Sequence, residues 1–90
     1  MHWPANGGLD GSPGADAAAR AVVEALEAAK AAGKVRHWGY CNFGTADMAA
    51  FGAGAVSNQL PYNLLWRSIE DGILPHCRKH DIAVLCYSSL

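Results

Sequence analysis

The chain has 90 residues, 51% of them apolar, with seven basic side chains against eight acidic ones. That near-neutral balance, without a basic stripe, excludes a nucleic-acid backbone as partner. No apolar run approaches the roughly 20 residues that span a bilayer, and the N-terminus lacks the basic-then-apolar order of a signal peptide, so a cytoplasmic protein with no membrane partner is expected.

Residues 5–14 hold four glycines, a proline and no helical or strand period, and predict a loop. From about Asp16 to Ala32 the spacing predicts an alanine-rich helix with Val22, Leu26 and Ala29 on one face. Arg20, Glu24, Glu27 and Lys30 lie mostly off that face and read as solvated, Glu27 and Lys30 pairing at i, i+3. Gly33 is placed to stop the helix in a left-handed conformation. Val35 to Tyr40, aromatic and β-branched, predicts a strand that ends on polar Cys41 and Asn42. Thr45 is a candidate cap for a short helix carrying Met48 and Phe51, and the glycines at 52 and 54 end it. Ala55 to Gln59 predicts the next strand, and Leu60 to Arg67 a long loop. A helix striped by Ile69, Ile73 and Cys77 follows, its regular part starting near Asp71 so that Pro75 falls in the first turn. Ile82 to Tyr87 is the last strand.

Strands alternating with helical crossovers predict right-handed βαβ units and a parallel sheet. Continuous apolar runs such as Ile82 to Leu85 predict burial on both faces. Both a (β/α) barrel and a doubly wound sheet satisfy this pattern, although the Gly-x-Gly-x-x-Gly fingerprint of the latter is missing. Cys41, Cys77 and Cys86 are odd in number and never in a Cys-x-x-Cys pair, which predicts reduced thiols. His76 and His80 have the i, i+4 spacing of metal ligands, but Arg78 and Lys79 repel a cation and no further ligand completes a shell. No metal is expected.

The chemistry sits where each apolar run ends. His2-Trp3-Pro4, then Gly39-Tyr40-Cys41-Asn42-Phe43, then Ser57-Asn58-Gln59 running on to Pro61-Tyr62-Asn63-Leu64-Leu65-Trp66-Arg67, and finally Tyr87-Ser88-Ser89-Leu90 stand in this order. In that order the motifs resemble the middle of an aldo-keto reductase, over nearly the whole length of the chain. The run from Val56 to Arg67 is the most specific, and is similar to bacterial members near the potassium-channel β-subunits and general stress proteins.

The resemblance implies an α/β fold, a partial (β/α)8 TIM barrel from the end of strand 4 through strand 7. Residues 1–90 then read as one incomplete domain, cut at both ends. It also implies NADPH as cofactor and a small-molecule aldehyde or ketone as substrate, reduced by hydride transfer. His2 is implied as the catalytic residue that hydrogen-bonds the substrate carbonyl. Asn42 and Gln59 are implied as ligands of the nicotinamide carboxamide, whose donor and acceptor edges an amide side chain matches. Cys41 stands where the family usually has Ser, and a thiol is the weaker donor. Tyr87 would stack on the nicotinamide, with Ser88 and Leu90 beginning the pyrophosphate contacts. Trp3, Trp66 and Arg67 are substrate-pocket candidates; Trp66 packed on the rim and Arg67 holding loop carbonyls is the equal alternative.

Two departures affect the loops, Ala5 in place of a usual Asp and Ser89 in place of a usual Pro. The family's catalytic Asp, Tyr and Lys come from its first three strands, ahead of these motifs. The 90 residues alone are therefore expected to be inactive, and the missing parts of the barrel to be needed in cis or in trans. A nicotinamide-binding regulatory subunit and a split-barrel remnant are the alternative functions.

Overall fold

A computed structural model describes residues 1–2 and 15–90, so the 5–14 loop lies outside the described residues. Three parallel strands, β1 (Tyr40–Cys41), β2 (Ser57–Pro61) and β3 (Ala83–Tyr87), lie side by side in chain order. Cys41 pairs with Gln59 and Gln59 with Leu85, while Pro61 pairs with Tyr87, so the carboxyl ends of all three strands reach one rim.

Helix α1 (Ala15–Ala31) precedes β1, α2 (Thr45–Phe51) joins β1 to β2, and a 3-10 turn at Ser68–Glu70 followed by α3 (Ile73–Lys79) joins β2 to β3. The chain leaves α1 through Gly33 at φ 72°, with Lys34 N–H on the Ala29 carbonyl at 2.9 Å and Gly33 N–H on that of Lys30 at 3.0 Å. This pairing satisfies carbonyls that the helix end would orphan. The same device closes α3, where Asp81 takes the left-handed position at φ 56° and Ile82 N–H reaches the Cys77 carbonyl at 2.8 Å.

The three predicted helices and the three strands that follow α1 are present with shifted bounds, whereas residues 1–2, the implied end of a further strand, form none. Of the predicted strand Val35 to Tyr40 only Tyr40 pairs as a strand, and Cys41 after it extends the pairing. Val35 is exposed, and the ladder begins with Val56 N–H on the Trp38 carbonyl, so the residues before Trp38 have no neighbouring strand to bond. Thr45 is not the cap of α2. Gly44 occupies that position, and the Asp47 carboxylate accepts its N–H at 2.9 Å, which satisfies the turn and places a negative charge in the first helical turn. Pro75 is the third residue of α3, where its missing N–H costs little. Ile69 is buried in the 3-10 turn rather than carried on α3.

The core lies between the sheet and its helices. Tyr40 and Phe43 stack at 4.4 Å between ring centroids, and Phe51 meets Phe43 edge-on at 4.9 Å. Met48 and Cys77 complete the cluster from α2 and α3, with Val22 and Leu26 of α1 against it. The Trp38 indole donates to the Glu27 carboxylate at 2.7 Å, pinning α1 to the strand, so Glu27 does more than pair with Lys30 on a solvated face. Burial on both sides of β3 does not hold: Ala83 and Leu85 are exposed, because they share the open face of the sheet with Ser57 and Gln59.

Candidate functional site

Parallel strands direct their carboxyl ends to one side, and the loops that follow can carry chemistry without weakening the sheet. Along the open face of the sheet, from Gly39 and Ser57 at the starts of β1 and β2 toward that rim, a cleft of about 330 Å³ is lined by Met1, His2, Gly39, Tyr40, Cys41, Ser57, Gln59 and Leu85. A slightly larger cleft of about 360 Å³ lies near the opposite ends of the strands, between α2 and α3, and holds none of the motif residues. We therefore place the candidate site at the first.

Close approach makes that cleft. A Cβ on Gly39 would overlap the Ser57 hydroxyl and lie 2.9 Å from the Ser57 carbonyl oxygen, so only glycine lets the chain entering β1 come this near to β2. On its other side, the Met1 ammonium donates to the Gly39 carbonyl at 3.0 Å, which lays residues 1–2 alongside Gly39 to Asn42.

Asn42 is the hub. It leaves β1 with φ 61°, a conformation that asparagine tolerates better than most residues, and its backbone N–H donates to the Gln59 carbonyl at 2.9 Å. Its side-chain oxygen accepts the Tyr87 hydroxyl at 2.6 Å. Its amide nitrogen faces the His2 carbonyl and the Cys41 sulfur, each at 3.5 Å. Gln59 is exposed on the open face in the middle of β2, which runs two residues past the predicted end at Gln59, and its strand partner Cys41 is buried. Thus His2, Cys41, Asn42, Gln59 and Tyr87 are brought to one rim.

The remaining candidates lie farther along it or beyond the described residues. Ser88 is exposed at φ 50°, with its carbonyl accepting from the Asn63 amide at 2.8 Å, and Leu90 is fully exposed. Trp66 is exposed, and Arg67 is bound to the Glu70 carboxylate at 2.8 Å instead of holding loop carbonyls. Trp3 lies outside the described residues.

Two asparagines organise this rim that the motifs did not single out. Asn58, fully buried, accepts from Phe43 N–H at 3.4 Å and donates to the Phe43 carbonyl at 3.0 Å, clipping the turn that carries Asn42 to β2. Strand alternation flags it: if Gln59 faces the cleft, Asn58 faces the core and requires partners. Asn63 accepts from the N–H groups of Leu65 and Trp66, both at 2.8 Å, while its amide holds Ser88. An Asn just after a strand, followed by a run that must turn, carries that signal.

The tyrosines differ in their freedom to act. Burial pushes the Tyr40 hydroxyl up to about 12, and it donates to the Gly52 carbonyl at 2.7 Å, so it remains a neutral structural donor. Tyr62 donates to Glu70 at 2.6 Å, and that bond raises its pKa. His76 and His80 do approach, with 4.4 Å between ring centroids, and burial lowers the His76 pKa, followed by the charges of His80 and Lys79. Among the described residues no group of three or more His, Cys, Asp or Glu side chains could hold a metal ion, and no helix is long and apolar enough to cross a membrane.

Comparison with known proteins shows the family. The aldo/keto reductase family model matches residues 2–90. Among curated relatives, the methylglyoxal reductase YeaE of Escherichia coli is 38% identical over 74 residues, 77% of this chain and 26% of that protein. The aldo-keto reductase YhdN of Bacillus subtilis is 37% identical over 71 residues, 77% of this chain and 22% of that protein. A crystal structure of an aldo/keto reductase from Klebsiella pneumoniae, in complex with NADP and acetate, superposes with a TM-score of 0.72 at 38% identity, covering 77% of this chain and 26% of that one. The chain thus spans about a quarter of the length of the relatives it matches. With a family match over nearly all its residues and a parallel α/β sheet that superposes on a solved member, the chain belongs to the aldo/keto reductase family.

Proposed function

We propose that this chain supplies the end of strand 4 through strand 7 of a (β/α)8 barrel, and with them the nicotinamide half of an NADPH-dependent carbonyl reductase. The observation that carries the reading is the pair of carboxamide side chains, Asn42 just past the end of β1 and Gln59 in the middle of β2 opposite Cys41, with the Tyr87 hydroxyl bonded to Asn42. A nicotinamide carboxamide needs one donor and one acceptor, and two amides on a rigid rim supply both. The open face holding Ser57, Gln59 and Leu85 is the barrel interior in this reading. The run from Val56 to Arg67 supports a branch near the channel β-subunits and stress proteins.

NADPH supplies the hydride when bound. Asn42 and Gln59 would hold its carboxamide, and the Tyr87 ring would stack against its nicotinamide. The thiol of Cys41 adds a weak contact at most. Ser88 and Leu90, on the turn that Asn63 ties down, begin the phosphate contacts. His2, on the chain beside Asn42, donates to the carbonyl oxygen of the substrate and sets its angle. The family's proton-donating Tyr and its Lys and Asp partners have no counterparts among these motifs. Small aldehydes of the methylglyoxal type are the substrates to try first, given the similarity to a methylglyoxal reductase.

The test is a fluorescence titration with NADPH and NADH of the full reading frame that encodes the chain, followed by turnover of methylglyoxal. We expect NADPH binding that Gln59→Ala weakens at least tenfold, and carbonyl reduction that His2→Ala slows more than it weakens binding. Binding that is indifferent to Gln59, or NADPH-dependent reduction by the pure 90-residue chain alone, would overturn this assignment.

A further inference from the structure

We propose that Tyr87 is a positioning residue through its hydroxyl, holding the Asn42 amide in the orientation that the His2 carbonyl selects, with its NH2 edge, and not its oxygen, left for a ligand carbonyl. This deepens the cofactor reading above and rests on it. The stacking role needs only the ring; the hydroxyl is a separate group with a separate partner.

The amide orientation follows from its neighbours. An asparagine side chain has nearly the same shape when its oxygen and nitrogen are exchanged, so hydrogen-bond partners decide between the two. On one side of Asn42 lies the Tyr87 hydroxyl, at 2.6 Å, and a hydroxyl can donate or accept. On the other side lie the His2 carbonyl and the Cys41 sulfur, each 3.5 Å away. The carbonyl can only accept. Turning the amide over would place oxygen against oxygen at His2, so the nitrogen belongs there and the oxygen belongs with Tyr87.

Strength follows from the same distances. Contacts at 3.5 Å lie at the edge of hydrogen bonding, whereas 2.6 Å is short for an O–H donor on a neutral acceptor. The Asn42 backbone is already fixed by its bond to Gln59, so side-chain rotation is the freedom that remains, and the Tyr87 hydroxyl removes most of it. The bond joins residues 45 apart in sequence and crosses from the end of β1 to the end of β3 over β2. Consequently the donor edge of the amide is held in place while engaged only by two 3.5 Å contacts that a ligand carbonyl can displace, and the acceptor for a carboxamide NH2 falls to the exposed Gln59.

The experiment compares wild type, Tyr87→Phe, Asn42→Ala and the double variant in the full reading frame. NADPH and its 3-acetylpyridine analogue, which keeps the carbonyl and replaces NH2 with methyl, are titrated by fluorescence, and the Asn42 side-chain amide is followed by 15N NMR. Phe keeps the ring and deletes one donor. We expect Tyr87→Phe to weaken both ligands by about fivefold to tenfold, the loss that accompanies one hydrogen bond. Adding it to Asn42→Ala should cost no more than Asn42→Ala alone, since both act through one group. Unchanged binding by Tyr87→Phe, or losses that add in the double variant, would overturn the proposal. If wild type binds neither ligand, the cofactor reading fails, and the NMR decides separately. Asn42 amide signals that move and exchange faster in Tyr87→Phe support the positioning role, and signals that stay put refute it.

Discussion

The two faces of β2 carry opposite kinds of side chain. Asn58 and Leu60 are buried, Asn58 against the Phe43 backbone and Met48, whereas Gln59, between them, is exposed on the cleft side. One strand thus anchors the scaffold with its even positions and presents chemistry with its odd ones. The lesson is a division of labour by parity: packing on the helix side fixes the strand, and the cleft side is free to carry polar groups that contribute little to folding.

Truncation on either face breaks or sharpens that comparison. Phe43 is fully buried, stacked on Tyr40 and edge-on to Phe51, so Phe43→Ala should cost about 3–5 kcal/mol, and Leu60→Ala about 2–5 kcal/mol. Leu85 sits next to Gln59 across the sheet and is half exposed in the 90-residue chain, so in that chain Leu85→Ala should cost less than about 1 kcal/mol. Urea unfolding of the three variants gives the numbers directly. Equal losses at Leu60 and Leu85 would mean that the cleft face is packed as tightly as the helix face, and parity would not divide the roles.

Asn58→Leu probes the one polar group on the packed face. The leucine matches the site in volume but leaves Phe43 N–H and C=O without their partner, at a cost of about 1–3 kcal/mol for an unsatisfied buried group. Because the Phe43 turn also carries Asn42, cofactor affinity should fall along with stability, unlike in Leu60→Ala. Amide exchange at Phe43 reports the loss of the clip, and exchange as slow as in the parent chain would show that another group had replaced it.

Much of this organisation was legible in the sequence. The alternation of apolar runs and helical segments set the parallel βαβ order, and polar residues directly after those runs marked the rim, because strand ends are where a parallel sheet delivers side chains. The start of β1 was not legible, since Val35 to His37 have strand-like composition and only the position of β2 decides which of them find partners. Nor was the cap at Gly44, where a neighbouring Asp satisfies the turn that Thr45 had the right chemistry to serve. The link between Tyr87 and Asn42 depends on strand register over 45 residues, which no local pattern contains.

The smallest effect tests how far the rim loop depends on charge. Glu70 accepts from Tyr62 at 2.6 Å and pairs with Arg67 at 2.8 Å. The Tyr62 hydrogen bond, followed by the Arg67 one, holds its carboxyl below the usual carboxylate value, while the same carboxylate pushes Tyr62 up. A depressed acid pKa means that the stabilisation is present above the unfolded value of about 4.3 and is lost as pH falls through the lower folded one. A raised tyrosine pKa means the opposite limb: stabilisation is present below about 10 and is lost as pH rises through the folded value. All three groups are open to solvent, which screens the effect, so it should appear in local exchange and not in global unfolding. The Leu65 and Trp66 amides, held by Asn63 within this loop, should exchange faster once acid neutralises Glu70, after correction for intrinsic rates. Glu70→Gln should abolish that acid limb, and Tyr62→Phe the alkaline one. Corrected protection that stays flat across the acid limb in the parent chain would show that Asn63 holds the loop without help from charge.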